Sequence, residues 1–128
     1  VQLENDDDLT HKLKLLTIYF DYNGYKIRES SKAELNKVVD LMKTHSTIKL
    51  TVNSHTDSRG HDEFNMKLSE SRAKATVDYI INHGINSDRI TGKGYGETRL
   101  LNKCSNGVKC SETEHQLNRR SEFIIQFD

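Results

Sequence analysis

The sequence predicts a two-layer α/β fold in which two helices pack on one face of a mixed sheet, with the element order β-α-β-α-β-β. Three observations lead to this prediction. Two segments carry apolar residues at helical spacing, four carry the runs or alternations typical of strands, and the two kinds of segment alternate along the chain. Because β-α-β units close with a right-handed crossover, both helices are expected on the same face of the sheet.

The first strand and the first helix are predicted from residues 15–42. The run "LLTIYFDY" at 15–22 is β-branched and aromatic, which is typical of a buried strand. Ser31 and Glu34 then match a capping box, the pattern that starts many helices. Apolar residues follow at positions i, i+3, i+4 and i+7, so the segment is predicted to be an amphipathic helix; they are Leu35, Val38, Val39 and Met42.

The second half of the chain predicts the remaining elements. The stretch "TIKLTVNSH" alternates apolar and polar residues, which indicates a half-buried strand. A second helix follows, with Gly84 as its left-handed C-cap. Short strands are expected around Ile90 and at 123–127. The apolar stripe of the second helix comprises Leu68, Ala73, Val77, Ile80 and Ile81.

Length and composition limit the possible functions. The 128 residues fit one domain, and 19 basic residues balance 19 acidic ones. Without a global positive field, no nucleic-acid partner is expected. No apolar run approaches the roughly 18–20 residues of a membrane span, so direct membrane insertion by this domain is not expected. The opening "VQLENDDD" predicts a linker tail from an upstream region at 1–12, followed by the domain at 13–128 of a longer protein.

Cys104 and Cys110 flank the turn-forming pair Asn106-Gly107. A tight turn brings its flanking residues together, so a disulfide is the preferred interpretation, and it implies an oxidising compartment. Two alternatives stay open. The cysteines could be reduced thiols on an exposed loop, or they could form a metal clip with His115, although these three ligands leave zinc one short.

The stretch "SHTDSRGHDEFN" at 54–65 contains the densest cluster of reactive side chains in the sequence. A metal site would use His55, Asp57 and His61, but no further histidine or cysteine nearby completes a ligand shell. A hydrolytic triad of Ser54, His55 and Asp57 is excluded by their closeness on one strand end. A recognition site fits better, because Asp57 opposite Arg72 would suit a zwitterion. A simple ion pair between these two residues is an equally good interpretation of their chemistry.

Four separated motifs, "HTD", "N..LS..RA", "GYGE" and "NRR", occur in one order and spacing between about residues 15 and 127. Together they resemble the OmpA-like peptidoglycan-binding domain of outer-membrane porin-type proteins, peptidoglycan-associated lipoproteins and flagellar stator subunits. The resemblance implies the same β-α-β-α-β-β fold. It also implies a noncatalytic module without a cofactor, whose ligand is the diaminopimelate of the peptidoglycan peptide stem.

The resemblance also implies a role for each site residue. Asp57 in "HTD" would bind the amine of diaminopimelate, and Arg72 in "SRA" its carboxylate. Asn65 would hydrogen-bond the ligand in the same cleft. Leu68 would pack on the aliphatic stem, and Arg119 in "NRR" would border the site.

Two positions deserve comparison with the family pattern. Tyr22 and Asn23 occupy the position after the first strand where backbone amides would cradle the ligand carboxylate. Many members have aspartate where this chain has Asn23, which matters little if the backbone amide binds. Most members have glycine before "HTD", whereas this chain has Ser54, which could narrow the floor of the cleft.

The implied setting is the periplasm of a Gram-negative bacterium. There the domain would anchor a larger protein, tethered to the outer membrane through its upstream domains, to the cell wall. Two alternatives remain: an assembly module whose cleft receives a partner protein's terminus, or a metal-dependent cell-wall hydrolase built around His55, Asp57 and His61.

Overall fold

The four strands of the sheet pair in the order β1-β4-β2-β3. The computed structural model describes residues 16–59, 61–105 and 107–126. Its elements are β1 (Ile18–Tyr19), α1 (Glu29–Thr44), β2 (Lys49–Ser54), α2 (Asp62–Asn82), a 3₁₀ turn (Ser87–Arg89), β3 (Ile90–Gly94), α3 (Glu112–Gln116) and β4 (Arg120–Gln126). The predicted α/β two-layer fold with a mixed sheet is confirmed. The predicted linker at 1–12 lies outside the described residues.

Strand direction places three loops at one end of the sheet. β2 and β3 are parallel, with Leu50 opposite Ile90. β4 is antiparallel to β2, with Ile125 opposite Leu50, and β1 is antiparallel to β4. β1, β2 and β3 therefore all point the same way, so the loops after their carboxyl ends lie at the same edge.

The core lies between the sheet and the two long helices. The predicted apolar stripe of α1 is buried, and Leu35, Val38 and Met42 have no exposed surface. From α2, Ile80 is buried, while Val77 and Ile81 are half-buried against the same core. Inward residues of the strands complete it: Ile18, Leu50, Val52, Ile90, Phe123 and Ile125.

The start of α1 differs from the prediction. The helix begins at Glu29, its N-cap Arg28 makes no side-chain cap, and Ser31 is buried inside the first turn. Arg28 Nε lies 2.7 Å from Asp21 Oδ1. The Ser31 capping box is therefore wrong, because the helix begins three residues earlier than a cap at Ser31 requires.

Strand lengths and one short helix also differ. β1 covers two residues of the predicted 15–22, of which residue 15 is not described. β4 begins at Arg120, three residues before the predicted start. The loop expected around the cysteines contains α3, whose capping box joins Ser111 and Glu114. Gly84 has φ +103°, which confirms the predicted left-handed end of α2.

α2 and β3 approach so closely that glycine is required at position 94. A Cβ on Gly94 would lie 2.5 Å from the backbone nitrogen of Glu70 and 2.5 Å from Ser69 Oγ. Backbone cannot yield as a flexible side chain can, so Gly94→Ala is expected to lower the free energy of unfolding by about 1–3 kcal/mol. Urea denaturation measures this. Gly24→Ala, whose nearest new contacts are 3.4 Å, is the matched control and should change little.

Candidate functional site

The loops after β1, β2 and β3 meet beside the start of β4. Backbone hydrogen bonds continue past the strand ends and fix these loops: Phe20 N–H donates to Arg119 O at 2.8 Å, and Thr56 N–H donates to Gly96 O at 2.9 Å. The first turns of α2 lie over the same edge. We call the resulting cluster the polar site; it comprises the turn 21–24, Asp57, Asn65, Leu68, Arg72, Glu97 and Arg119.

Asp57 is the central carboxylate of the polar site, and it is only 2% exposed. Its Oδ1 accepts the backbone N–H of Arg59 at 3.0 Å. Its Oδ2 accepts Arg59 Nη2 at 2.8 Å and Arg119 Nη1 at 3.2 Å. Burial acts to raise the pKa of Asp57, but the hydrogen bonds and charge of Arg59, with Arg119, outweigh it and hold the pKa below its ordinary value. Asp57 is thus ionised at neutral pH.

Arg72 is completely buried, and it binds backbone rather than a carboxylate. Its Nε donates to Gly24 O at 2.7 Å, Nη1 to His55 O at 2.8 Å and Nη2 to Asp21 O at 3.0 Å. Burial and the nearby charge of Arg119 lower its pKa to about 10, while Asp57 acts in the opposite direction. Arg72 therefore stays charged at neutral pH and ties the turn after β1 to the end of β2.

The predicted ion pair between Asp57 and Arg72 takes an indirect form. No direct hydrogen bond joins them among the described residues, because Asp57 is bonded to Arg59 and Arg119 while Arg72 is bonded to three carbonyls. Their charges nevertheless interact. The two groups are held independently in one polar site, which a bridging ligand requires.

Tyr22 and Asn23 form the exposed tip of the turn that Arg72 holds. Gly24 N–H donates to Asp21 O at 2.9 Å and closes the turn. Asn23 has φ +58°, a left-handed conformation that asparagine tolerates better than most residues. This hydrogen bond does not use the amides of the two central residues, whose role in cradling a carboxylate stays a prediction.

Asn65 and Leu68 lie in the first two turns of α2, and both are buried. Asn65 Nδ2 donates to Asp57 O and to Glu97 Oε1, each at 3.3 Å. Glu97 belongs to the "GYGE" motif. Burial, with a hydrogen bond to Asp62 and the negative charge of Asp62, raises the pKa of Glu97 to about 7. The site thus combines an ionised aspartate with a glutamate that is only partly ionised at neutral pH.

The raised pKa of Glu97 predicts a pH-dependent stability. The folded protein keeps this proton up to about pH 7, whereas an unperturbed glutamate releases it near 4.5. The folded state therefore binds more protons between these values, so stability should fall as pH rises from about 4.5 to about 7. Glu97→Gln should remove this pH-dependent part of the stability. The midpoint of urea denaturation should therefore fall less between pH 5 and pH 8 in the variant than in the wild type. The exposed Glu63→Gln should behave like the wild type.

Sequence reasoning did not single out Arg59 or Glu112, yet both contact charged residues of the polar site. Arg59 Nη1 contacts Glu112 Oε2 at 3.0 Å, and its guanidinium carbon lies 4.0 Å from the centroid of the Tyr22 ring. Arg119 Nη2 contacts Glu112 Oε1 at 2.7 Å. The sequence feature that could have pointed to Arg59 is its place in "DSR", two residues after Asp57. Glu112 is distant in sequence and is brought to the site only by the fold.

Ser54 and His55 follow each other at the end of β2 and have different surroundings. The Ser54 side chain is buried on the helix side of the sheet, where its Oγ lies 2.5 Å from Ser121 Oγ. His55 is stacked on Tyr95 with ring centroids 5.5 Å apart, and its Nε2 lies 3.0 Å from Glu122 Oε1. A narrowing of the cleft floor by Ser54 stays a prediction.

The predicted Cys104–Cys110 disulfide is confirmed, with an S–S distance of 2.05 Å. Both sulfurs are consequently unavailable as thiolates. Among the described residues, the two cysteines and Glu114 are the one group close enough to hold a metal ion, and the disulfide removes its two strongest ligands. His115, suggested as a third ligand, lies in α3 and is buried. Ser58 donates to the carbonyl of Cys104, linking this loop to the loop after β2.

Comparison with known proteins identifies the family. The OmpA family profile matches residues 19–114, which is more than half of the sequence. The chain belongs to the OmpA family. This confirms the resemblance noted from "HTD" and the motifs that follow it. Within the described part of this OmpA-family chain, no helix has the length and apolar character needed to cross a membrane.

Two relatives and one solved structure illustrate the similarity. Outer membrane porin F of Pseudomonas aeruginosa is 41% identical over 112 residues, covering 87% of this chain and 31% of that protein. Peptidoglycan-associated lipoprotein of Buchnera aphidicola is 33% identical over 124 residues, covering 96% of this chain and 69% of that protein. The crystal structure of peptidoglycan-associated lipoprotein from Burkholderia pseudomallei superposes with a TM-score of 0.77 at 23% identity, covering 86% of this chain and 89% of that one. This OmpA-family chain thus spans under a third of porin F.

Proposed function

We propose that this domain is a noncatalytic module that binds the peptide stem of peptidoglycan through the zwitterionic end of diaminopimelate. The observation that carries the proposal is the pair of buried opposite charges, Asp57 and Arg72, held separately at one edge of the sheet in an OmpA-family domain. A relative covering most of this chain is named a peptidoglycan-associated lipoprotein. A fixed anion beside a fixed cation is the complement of an α-amino acid head group.

Each group has a chemical role in this proposal. The ligand ammonium binds Asp57, which is ionised at neutral pH. The ligand carboxylate binds the amides of Tyr22 and Asn23 and the two N–H groups of Arg72 that remain beyond its three carbonyl bonds. Because Arg72 is buried, the turn 21–24 has to shift to admit the carboxylate.

The other residues support the ligand. Asn65 hydrogen-bonds it, Leu68 packs on its aliphatic stem, and Arg119 borders the site. Since Asn65 Nδ2 already donates to the backbone carbonyl of Asp57 and to the carboxyl group of Glu97, ligand contact at Asn65 is coupled to the loop after β2 and to Glu97. No bond is made or broken, and no metal or cofactor takes part.

The domain then serves as an anchor. It holds a larger protein of the Gram-negative outer membrane to the cell wall from the periplasm, with upstream domains providing the tether. Each stem is bound with modest affinity, and many copies on one polymer provide the useful strength. Nucleic acid and direct insertion into the membrane play no part.

Sedimentation with purified sacculi tests this proposal. We expect the domain to sediment with diaminopimelate-type sacculi and to be released by free meso-diaminopimelate. Lysine-type peptidoglycan is the matched control, because lysine has the amine but lacks the second carboxylate. Equal retention on both polymers, or no release by the free amino acid, would contradict the proposal. Soluble muropeptides released in the presence of zinc would instead indicate a hydrolase.

A further inference from the structure

The carboxylate assigned to the ligand ammonium is covered in this structure. Asp57 is 2% exposed. Both of its oxygens accept hydrogen bonds from Arg59, and Oδ2 also accepts one from Arg119. An incoming ammonium group therefore cannot reach Asp57 until one of these two arginine side chains moves.

The two arginines differ in their freedom to move. The Arg119 side chain is 3% exposed, and its Nε donates to Phe20 O at 2.8 Å. The Arg59 side chain is 32% exposed, and its guanidinium contacts the side chains of Asp57 and Glu112 and the ring of Tyr22. Moving Arg119 breaks a buried bond to a backbone carbonyl as well as its bond to Asp57, whereas moving Arg59 breaks a part-buried bond to Asp57 and two contacts with exposed side chains. Arg59 is the group that yields.

The outer contacts of Arg59 lie at the surface. The Glu112 side chain is 61% exposed, and Tyr22 is 48% exposed. Exposed ion pairs are weak. A swing of the Arg59 side chain towards Glu112 therefore uncovers Asp57 without unfolding any element, because the backbone N–H of Arg59 can keep its bond to Oδ1.

We propose that Arg59 is a latch over Asp57, held from outside by Glu112 and Tyr22, which must open before an ammonium group can bind, and that it makes the site selective for zwitterions. The ligand chemistry rests on the proposed function, whereas the latch itself does not. In the closed state Arg59 supplies the positive charge that Asp57 requires. In the open state the ligand ammonium replaces that charge, and the displaced guanidinium can pair with a ligand carboxylate.

Selectivity follows from this exchange of partners. A zwitterion compensates both groups that opening separates, because its ammonium pairs with Asp57 and its carboxylate, held by Arg72 beside the turn 21–24, can also accept from Arg59, whose guanidinium lies over the Tyr22 ring of that turn. A plain amine compensates Asp57 alone. The wild type should therefore prefer diaminopimelate to 1,5-diaminopentane, which has the same amine spacing and no carboxylate. Removing the latch should reduce that preference.

Carboxyl labelling tests the latch without any peptidoglycan ligand. Carbodiimide coupling of glycinamide is followed at Asp57 by peptide mass spectrometry at one pH. We expect coupling to be about fivefold faster or more in Arg59→Gln, and faster to a smaller extent in Glu112→Gln. The second variant keeps Arg59 beside Asp57, so its faster coupling reports opening rather than a change of charge. Lys74→Gln removes an exposed, paired cation from the outer face of α2 and should couple at the wild-type rate. Unchanged coupling in both latch variants would overturn the proposal.

Calorimetric titration tests selectivity with the same proteins. We expect Arg59→Gln to bind 1,5-diaminopentane about tenfold more tightly than the wild type does, with a change of less than about threefold for diaminopimelate. A purely structural role of Arg59 would weaken both ligands together, and this outcome would overturn the assignment. If the variants couple faster yet no protein binds diaminopimelate, the latch stands and the proposed ligand is wrong.

Discussion

Arg72→Ala is expected to lower the free energy of unfolding by about 3–5 kcal/mol, because it leaves three backbone carbonyls without their donor in a buried site. Those carbonyls belong to Asp21, Gly24 and His55. The alanine also leaves a cavity where a fully buried guanidinium had packed over the Phe20 ring. Urea denaturation measures the loss. The free energy of unfolding of Arg72→Lys should lie between those of the wild type and Arg72→Ala, since one ammonium cannot reproduce the fork of a guanidinium.

Arg89 provides a matched control for this prediction. It also donates to three backbone carbonyls, those of Met42, His45 and Ile48, but it is only half-buried and lies away from the polar site. Arg89→Ala should therefore cost less stability and leave sacculus binding unchanged. An Arg72→Ala protein as stable as the wild type would show that the turn 21–24 is held by other contacts.

Asp57→Asn is expected to reduce retention on sacculi by about one to two orders of magnitude, because the amide cannot supply the charge-assisted bond to an ammonium. The change also leaves Arg119 and Arg59 without their shared carboxylate. Stability should fall as well, since Arg119 is buried. Sedimentation with sacculi gives the binding loss, and circular dichroism at the assay temperature establishes that the variant is folded.

The pH dependence of the same residue has a defined sign. The arginines depress the pKa of Asp57 in the folded protein below the ordinary value of 3.8. Its stabilising contribution is therefore complete above about pH 4 and is lost as pH falls through the lower, folded value. The wild type should lose stability over this acid range more steeply than Asp57→Asn does.

Asp78→Asn is the control for these measurements. Asp78 is an exposed carboxylate paired with Lys74 at 2.7 Å. Its replacement should therefore change neither sacculus binding nor the loss of stability at acid pH. If Asp57→Asn is folded and sediments with sacculi as the wild type does, the ammonium is bound elsewhere.

Capping shows how far a local pattern predicts the fold. The sequence contains the same Ser-x-x-Glu pattern at Ser31 and at Ser111. The first forms no cap, because α1 begins at Glu29 and Ser31 lies inside its first turn. The second forms a complete capping box, because α3 begins directly after Ser111. The pattern predicts a helix nearby, but the residue at which the helix begins decides whether the serine becomes the cap.

The residues of the polar site also differ in whether the sequence could predict their positions. The predicted end of β2 and the predicted start of α2 placed Asp57 near Arg72, whereas Asn65 and Leu68 were assigned to the site by the family resemblance. Glu112 lies in a loop whose path the sequence pattern does not specify. Its contacts with Arg59 and Arg119 could be found only in the folded chain.

The sequence by itself determined the order of elements, the apolar faces of α1 and α2, and the motifs that assign the chain to its family. These depend on periodicity and spacing, which are local properties of the chain. The tertiary structure alone decided which charges meet. It binds Arg72 to three carbonyls and closes Asp57 with Arg59 and Arg119. The physical reason is that hydrogen-bond partners of buried charges are chosen by distance after folding, and residues far apart in sequence compete for them on equal terms.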